Sequence, residues 1–281
     1  MNNTFDFNRF GKVLRNDGSI YFRNFGLTLA ILCGIPIVGW VLTLVFGFTM
    51  PSLVRWISIY FIMFIAVILV PAKAFGYMNH PREGVRFAML PASNWEKYLS
   101  YVLFCLLTPV CVIFCSWGID SLLTLLPLGG FEHYIKSFSV QGIIQDFGVE
   151  MDADMDTESY TMFKEIMNDF QPHYVLSIII GILLNIGIFM LGNMLFKTHK
   201  TAKTLVVMIG VSYAISMIMQ SFLLARGIFP WQNGNAFGVS MDIETVKNLG
   251  TTSMTLSNIL HCLLTIGVYI GLFFKIKTQK Y

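Results

Sequence analysis

Three groups of residues in this chain have the types and spacing that chemistry needs. His261 lies in an apolar run, three residues after Asn258 and so on the same helix face, with Asn185 in an earlier run. An imidazole at membrane depth can relay a proton; the plainer reading is a hydrogen bond into the bundle. Asp152-Ala153-Asp154-Met155-Asp156 matches the first carboxylates of a calcium loop. Its sixth position is Thr157 in place of Gly and its twelfth is Phe163 in place of Glu, so the turn and the bidentate ligand are both missing. A solvated acidic loop is expected there, and no metal site.

The third group is the segment from Lys73 to Lys97, which carries Arg82, Glu83, Arg86, Glu96 and Lys97 on a chain that otherwise avoids charge. Pro81 and Pro91 break any helix that would cross them. Ser93 is placed to cap a helix beginning at Asn94, with Glu96 at the third position completing a capping box. A short capped helix running straight into an apolar span is a rigid knob on the membrane surface. An ordinary positive-inside loop is the alternative.

Composition sets the frame for all three. Of 281 residues 55% are hydrophobic and 12% charged, against about 25% charged in a soluble domain. Mean hydropathy is +0.66. These values place the chain in a bilayer, and a net charge of +3 gives no reason to expect nucleic acid. The five cysteines all lie in apolar runs, outside any CxxC or zinc-type spacing, so neither a disulfide framework nor a cofactor is implied. Gly11-Lys12 is followed by Val13 and lacks an upstream glycine, so no phosphate-binding loop occurs; HExxH and GxSxG are absent too. No enzyme is expected. The N-terminus lacks the short charged region and small-residue cleavage site of a secretory signal.

Apolar runs long enough to cross a membrane fall at roughly 27–48, 56–72, 98–119 (interrupted by Pro109), 174–196, 204–225 and 254–274. Residues 1–26 place Phe7, Phe10, Val13 and Leu14 at helical spacing with Arg9, Lys12 and Arg15 between them. That pattern predicts an interfacial amphipathic helix, with a flexible basic tail as the alternative. Residues 120–173 form a long acidic outer loop, in which Tyr160, Phe163, Met167 and Phe170 share one helical face, and 226–253 form a second outer loop. Of the 19 Lys and Arg, the N-terminal segment, 73–97, the turn at 197–203 and the tail hold all but Arg55, Lys136, Lys164, Arg226 and Lys247. By the positive-inside rule those basic segments are cytoplasmic. The expected fold is therefore all-α: a polytopic membrane protein with six transmembrane helices, both termini cytoplasmic, and an N-terminal interfacial helix, 1–26, ahead of a transmembrane domain, 27–281.

With Arg86, Leu90-Pro91-Ala92-Ser93 and Glu96-Lys97 standing before the third span, the chain resembles the permease subunits of type 2 ABC exporters. The resemblance implies an integral protein of the bacterial cytoplasmic (inner) membrane. It would pair with itself or with a similar permease, contact membrane lipid, and couple to a separate ATP-binding cassette ATPase. Arg82, Glu83 and Arg86 would face that ATPase, and Leu90, Pro91, Ser93, Glu96 and Lys97 would form the turn into the third span. One departure stands out: the larger outer segment joins spans three and four, where the family elaborates the loop between five and six. There, Gly227-Ile228-Phe229-Pro230-Trp231 has the make-up of a re-entrant turn. A non-transporting scaffold, sensor or self-protection protein that binds through its acidic loop is the alternative function.

Overall fold

The computed structural model describes residues 5–47, 52–79, 84–125, 157–225 and 243–278. Among them the chain is all-helical: α1 (Phe7–Phe46), α2 (Ser52–Lys73), a 3₁₀ turn (Gly76–Asn79), α3 (Gly84–Met89), α4 (Asn94–Thr124), α5 (Thr157–Leu195), α6 (Lys200–Ala225) and α7 (Ile243–Thr278). Five helices are long and apolar enough to cross a membrane: α1, α4, Pro172–Leu195 of α5, Lys200–Ile218 of α6 and Gly250–Thr278 of α7. The apolar part of α2, Ile57–Lys73, is shorter. This is the architecture of a polytopic integral membrane protein. Apolar side chains such as Leu27, Ile31, Val206 and Ile209 are exposed along the bundle, as a lipid-facing surface requires.

Helix α1 runs without a break across the expected division at residues 26 and 27. The amphipathic segment and the first apolar run form one unbroken helix, started by Asp6, whose side chain accepts from the Asn8 N–H, and closed by Gly47 at φ 68°. Glycine supplies that left-handed backbone without strain. Gly11 and Gly18 each cost the helix about 1 kcal/mol relative to alanine. Tertiary contact offsets this, since α1 lies along α4 and buries Val13, Asp17, Ile20, Tyr21 and Phe25.

Two further differences concern continuity. Pro109 does not interrupt α4, which runs through it. The Thr108 hydroxyl donates to the Phe104 carbonyl at 2.7 Å and accompanies the kink-prone step. The helical stretch predicted around 160–170 is not a separate outer helix; its backbone is the first part of α5, continuous through Pro172.

Packing centres on one cluster in which Tyr21 and Phe25 of α1 meet Phe75, Met78, Tyr101, Met190, Met194 and Leu272. The Tyr21 and Phe104 rings stack with centroids 5.3 Å apart, and Phe75 meets Tyr101 edge-on at 5.0 Å. Helices in lipid gain little from burying apolar surface, so close fit and hydrogen bonds carry the association. The α5–α7 pair shows this. A Cβ on Gly187 would stand 3.0 Å from Tyr269 and Val268, and the Tyr269 hydroxyl donates to the Leu183 carbonyl at 3.2 Å.

Candidate coupling site

The segment between α2 and α4 is built on local chemistry that its residues announce. Ser93 is extended at φ −69°, ψ 157°; its hydroxyl accepts from the Glu96 N–H at 3.3 Å, and the Glu96 carboxylate accepts from the Ser93 N–H at 2.9 Å. The capping box predicted from the sequence is therefore present, with α4 beginning at Asn94. It satisfies two of the N–H groups that a helix start leaves orphaned.

The same carboxylate also reaches across to α1. Arg9 donates to it from Nε at 3.0 and 2.8 Å and from Nη2 at 2.7 Å, and the Asp6 N–H adds a bond at 3.0 Å. Glu96 is fully buried. It precedes the apolar run that opens at Tyr98, and the Arg9 guanidinium, with the two backbone donors, holds its carboxyl down at about 2. Lys97 is buried as well, its Nζ 5.3 Å from the centre of the Phe87 ring. One turn on, the Ser100 hydroxyl donates to buried Asp17 of α1 at 2.6 Å. The knob is thus not a charged one at Glu96 and Lys97. Both side chains turn inward, where they tie the segment to α1 and α3.

On its other side the segment is fastened to the α5–α6 turn. Asn79 donates to the Phe196 carbonyl at 3.0 Å and to that of Asn193 at 3.4 Å, covering the open C-terminal carbonyls of α5. Lys200 donates to the Gly76 carbonyl at 2.6 Å. Buried Asn193 donates to the Phe75 carbonyl at 3.3 Å and the Tyr101 hydroxyl at 3.2 Å, and Tyr101 donates to the Met190 carbonyl at 3.3 Å. From the sequence, Lys200 is one cation of the basic turn at 197–203 and Asn193 one amide in an apolar run. Their spacing from Gly76 and Phe75 exceeds a hundred residues, so no local signal pairs them.

The outward face is apolar where it is described. Met89 is 77% exposed, Pro91 is exposed and Leu90 half-buried, while Trp95 meets Phe273 of α7 at a tilt, with ring centres 4.2 Å apart. Arg86 lies on α3 but its side chain is outside the described residues, as are Arg82 and Glu83 altogether. The same holds for the acidic run Asp152–Asp156 and for Gly227–Trp231.

The intramembrane polar candidates do not form one site. Asn185 donates to Gly181 and His261 bonds the Ser257 carbonyl at 2.8 Å, each within its own helix, whereas Asn258 donates to the His173 carbonyl of α5 at 3.0 Å. At the opposite end of the bundle Arg55 and Asp120, read from the sequence as loop charges, are buried inside α2 and α4 with Nε and Oδ1 3.8 Å apart. No cluster of metal-binding side chains occurs among the described residues. No family model matches the chain, and neither a curated protein nor a solved structure is similar to it.

Proposed function

We propose that this chain is the membrane-spanning permease subunit of an ABC exporter, with α2 as a sixth span and both termini in the cytoplasm. It works as a homodimer or with a similar permease, and it couples to a separate cytoplasmic ATPase through residues 73–97. The observation that carries this reading is the way the segment is held. Its start is bonded to α5 and α6 through Asn79 and Gly76, and its end to α1 through Glu96. A loop merely closing a turn has no need of long-range bonds at both ends, with a charged donor in each. A lever that delivers a push to the bundle does, because slack at either end would absorb the motion.

In this mechanism nucleotide-driven closure of the ATPases moves α3 and the Met89–Pro91 corner. The capping box and the Arg9–Glu96 clasp pass that displacement to α4 and α1 together, and a path opens between the two bundles. ATP supplies the work, so the spans need no titrating carboxylate. Contact with the ATPase falls to Arg82, Glu83 and Arg86 and to the exposed Met89–Pro91 corner, while Glu96 and Lys97 hold the segment from within.

Gentle affinity purification of the tagged protein from its native membrane tests this. The expected result is a stoichiometric subunit bearing a Walker A sequence, lost on Arg86→Glu while the permease still inserts. Recovery of the protein alone, or with an extracytoplasmic partner, would overturn the reading in favour of a scaffold or sensor acting through its acidic loop.

A further inference from the structure

Between α5, α6 and α7 lies a crevice of about 160 Å³, lined almost wholly by apolar atoms from Leu184, Ile188, Leu191, Val207, Val211 and Leu264. Helix α6 leans on α5 and touches α7 little, which leaves the gap. At one end Gly192 brings α5 and α6 into close approach, and the Thr204 hydroxyl there is committed to the Lys200 carbonyl at 2.7 Å. An apolar cavity of this size holds no water and accepts a hydrocarbon guest. From Leu184 to Phe196 it follows twelve residues of α5, about 18 Å at 1.5 Å per residue. That is close to one leaflet of a hydrocarbon core about 30 Å thick.

The crevice ends at the α5–α6 turn, which carries Lys197, His199, Lys200 and Lys203. Lys200 is spent on the Gly76 carbonyl. Lys197 and Lys203 are exposed, the latter donating to the Thr198 hydroxyl at 3.2 Å. No Asp or Glu occurs anywhere between Asp169 and Asp242, so the turn has no counter-ion of its own in sequence. We infer that one acyl chain of an anionic phospholipid lies along the crevice, seated in it in part, with its phosphate against Lys197 and Lys203. The apolar length selects an acyl chain over a free phosphate, and the two exposed lysines of the turn select an anionic headgroup over a zwitterionic one. This inference does not depend on the exporter reading.

Native mass spectrometry of the full-length protein in mild detergent tests it, with phosphatidylglycerol and phosphatidylcholine of identical chains as probes. Wild type should retain a single phosphatidylglycerol in preference to phosphatidylcholine, by on the order of tenfold, as expected for one or two lysines beside an anionic headgroup. Excess inorganic phosphate should not displace it. Val211→Phe, which fills the crevice, should remove the retained lipid. The exposed pair Lys197→Gln and Lys203→Gln, which carries little risk to folding, should abolish the headgroup preference and leave acyl-chain binding. Equal retention of the two lipids by wild type, an unchanged preference in the double lysine variant, or displacement by phosphate alone would each overturn the proposal.

Discussion

Arg9 and Glu96 stand 87 residues apart in sequence, yet the guanidinium of one closes on the carboxylate of the other at 2.7 Å, where Glu96 is wholly out of water. The same carboxylate belongs to the capping box of α4. One side chain therefore terminates a helix and binds a second helix to it, and the two roles should fail together. Glu96→Ala should lower the thermal unfolding midpoint in detergent more than Arg9→Ala does, because only the first also removes one half of the capping box of α4. Arg9 keeps 28% of its side-chain surface exposed, so its removal leaves a carboxylate that water can reach in part. Arg9→Lys should recover only a fraction, since an ammonium cannot present the planar fork. Equal shifts for Glu96→Ala and Arg9→Ala would separate the two roles.

Acid should dissolve this clasp in a defined window. The Glu96 carboxyl is lowered from 4.5 to about 2 by Arg9 first, with backbone donors adding to it. A carboxyl depressed by folding stabilises fully above its unfolded value, and the contribution is lost as pH falls toward the folded one. The stability gap between wild type and Glu96→Gln should be constant at neutral pH and narrow between pH 4.5 and about 2. A gap that narrows on raising the pH from neutrality would assign the linkage to another group.

Ser93→Ala removes one half of the capping box while leaving the Glu96–Arg9 contact in place. The expected cost is about 1 kcal/mol, the usual worth of an N-cap hydroxyl. Ser93→Thr, which keeps the capping hydroxyl, should restore most of it. Chemical or thermal unfolding of the three proteins in the same detergent measures the comparison.

At the α5–α6 contact the constraint is steric. A Cβ at Gly192 would collide with Thr204, including its Cβ at 2.8 Å, and rotating the side chain cannot clear that atom. Gly192→Ala should therefore destabilise by about 1–3 kcal/mol, the range for overpacking a fitted interface. Adding Thr204→Gly should recover part of the loss, whereas Thr204→Ser should not. A double-mutant cycle on unfolding free energies reads the coupling directly.

What the residues disclosed in advance, and what they did not, follows the reach of each interaction. The Ser93–Glu96 box was legible because its partners are three residues apart and the geometry is intrinsic to a helix start. Five of the six apolar runs were legible because the bilayer imposes a minimum length on a span, which the α2 run, Ile57–Lys73, falls short of. Continuity of α1 was not, since Gly11, Gly18 and the charges between them weaken a helix that packing against α4 then secures. Nor were the partners of Glu96, Asn193 and Lys200, each of which is chosen by tertiary approach from the far side of the chain. Arg55 and Asp120 misled for a related reason: α2 and α4 run past the ends of their apolar runs and carry both charges into the interior.

Helix α1 is 40 residues long, about 60 Å of rod at 1.5 Å per residue, twice the depth of the hydrocarbon it enters. Its short end is gripped at Arg9 and Asp17, and its long end meets the rest of the bundle more sparsely beyond Leu32. On the exporter reading proposed above, a displacement of Glu96 would be passed along this rod toward Thr43 and Gly47. In that reading the first span is an oar, held at Glu96.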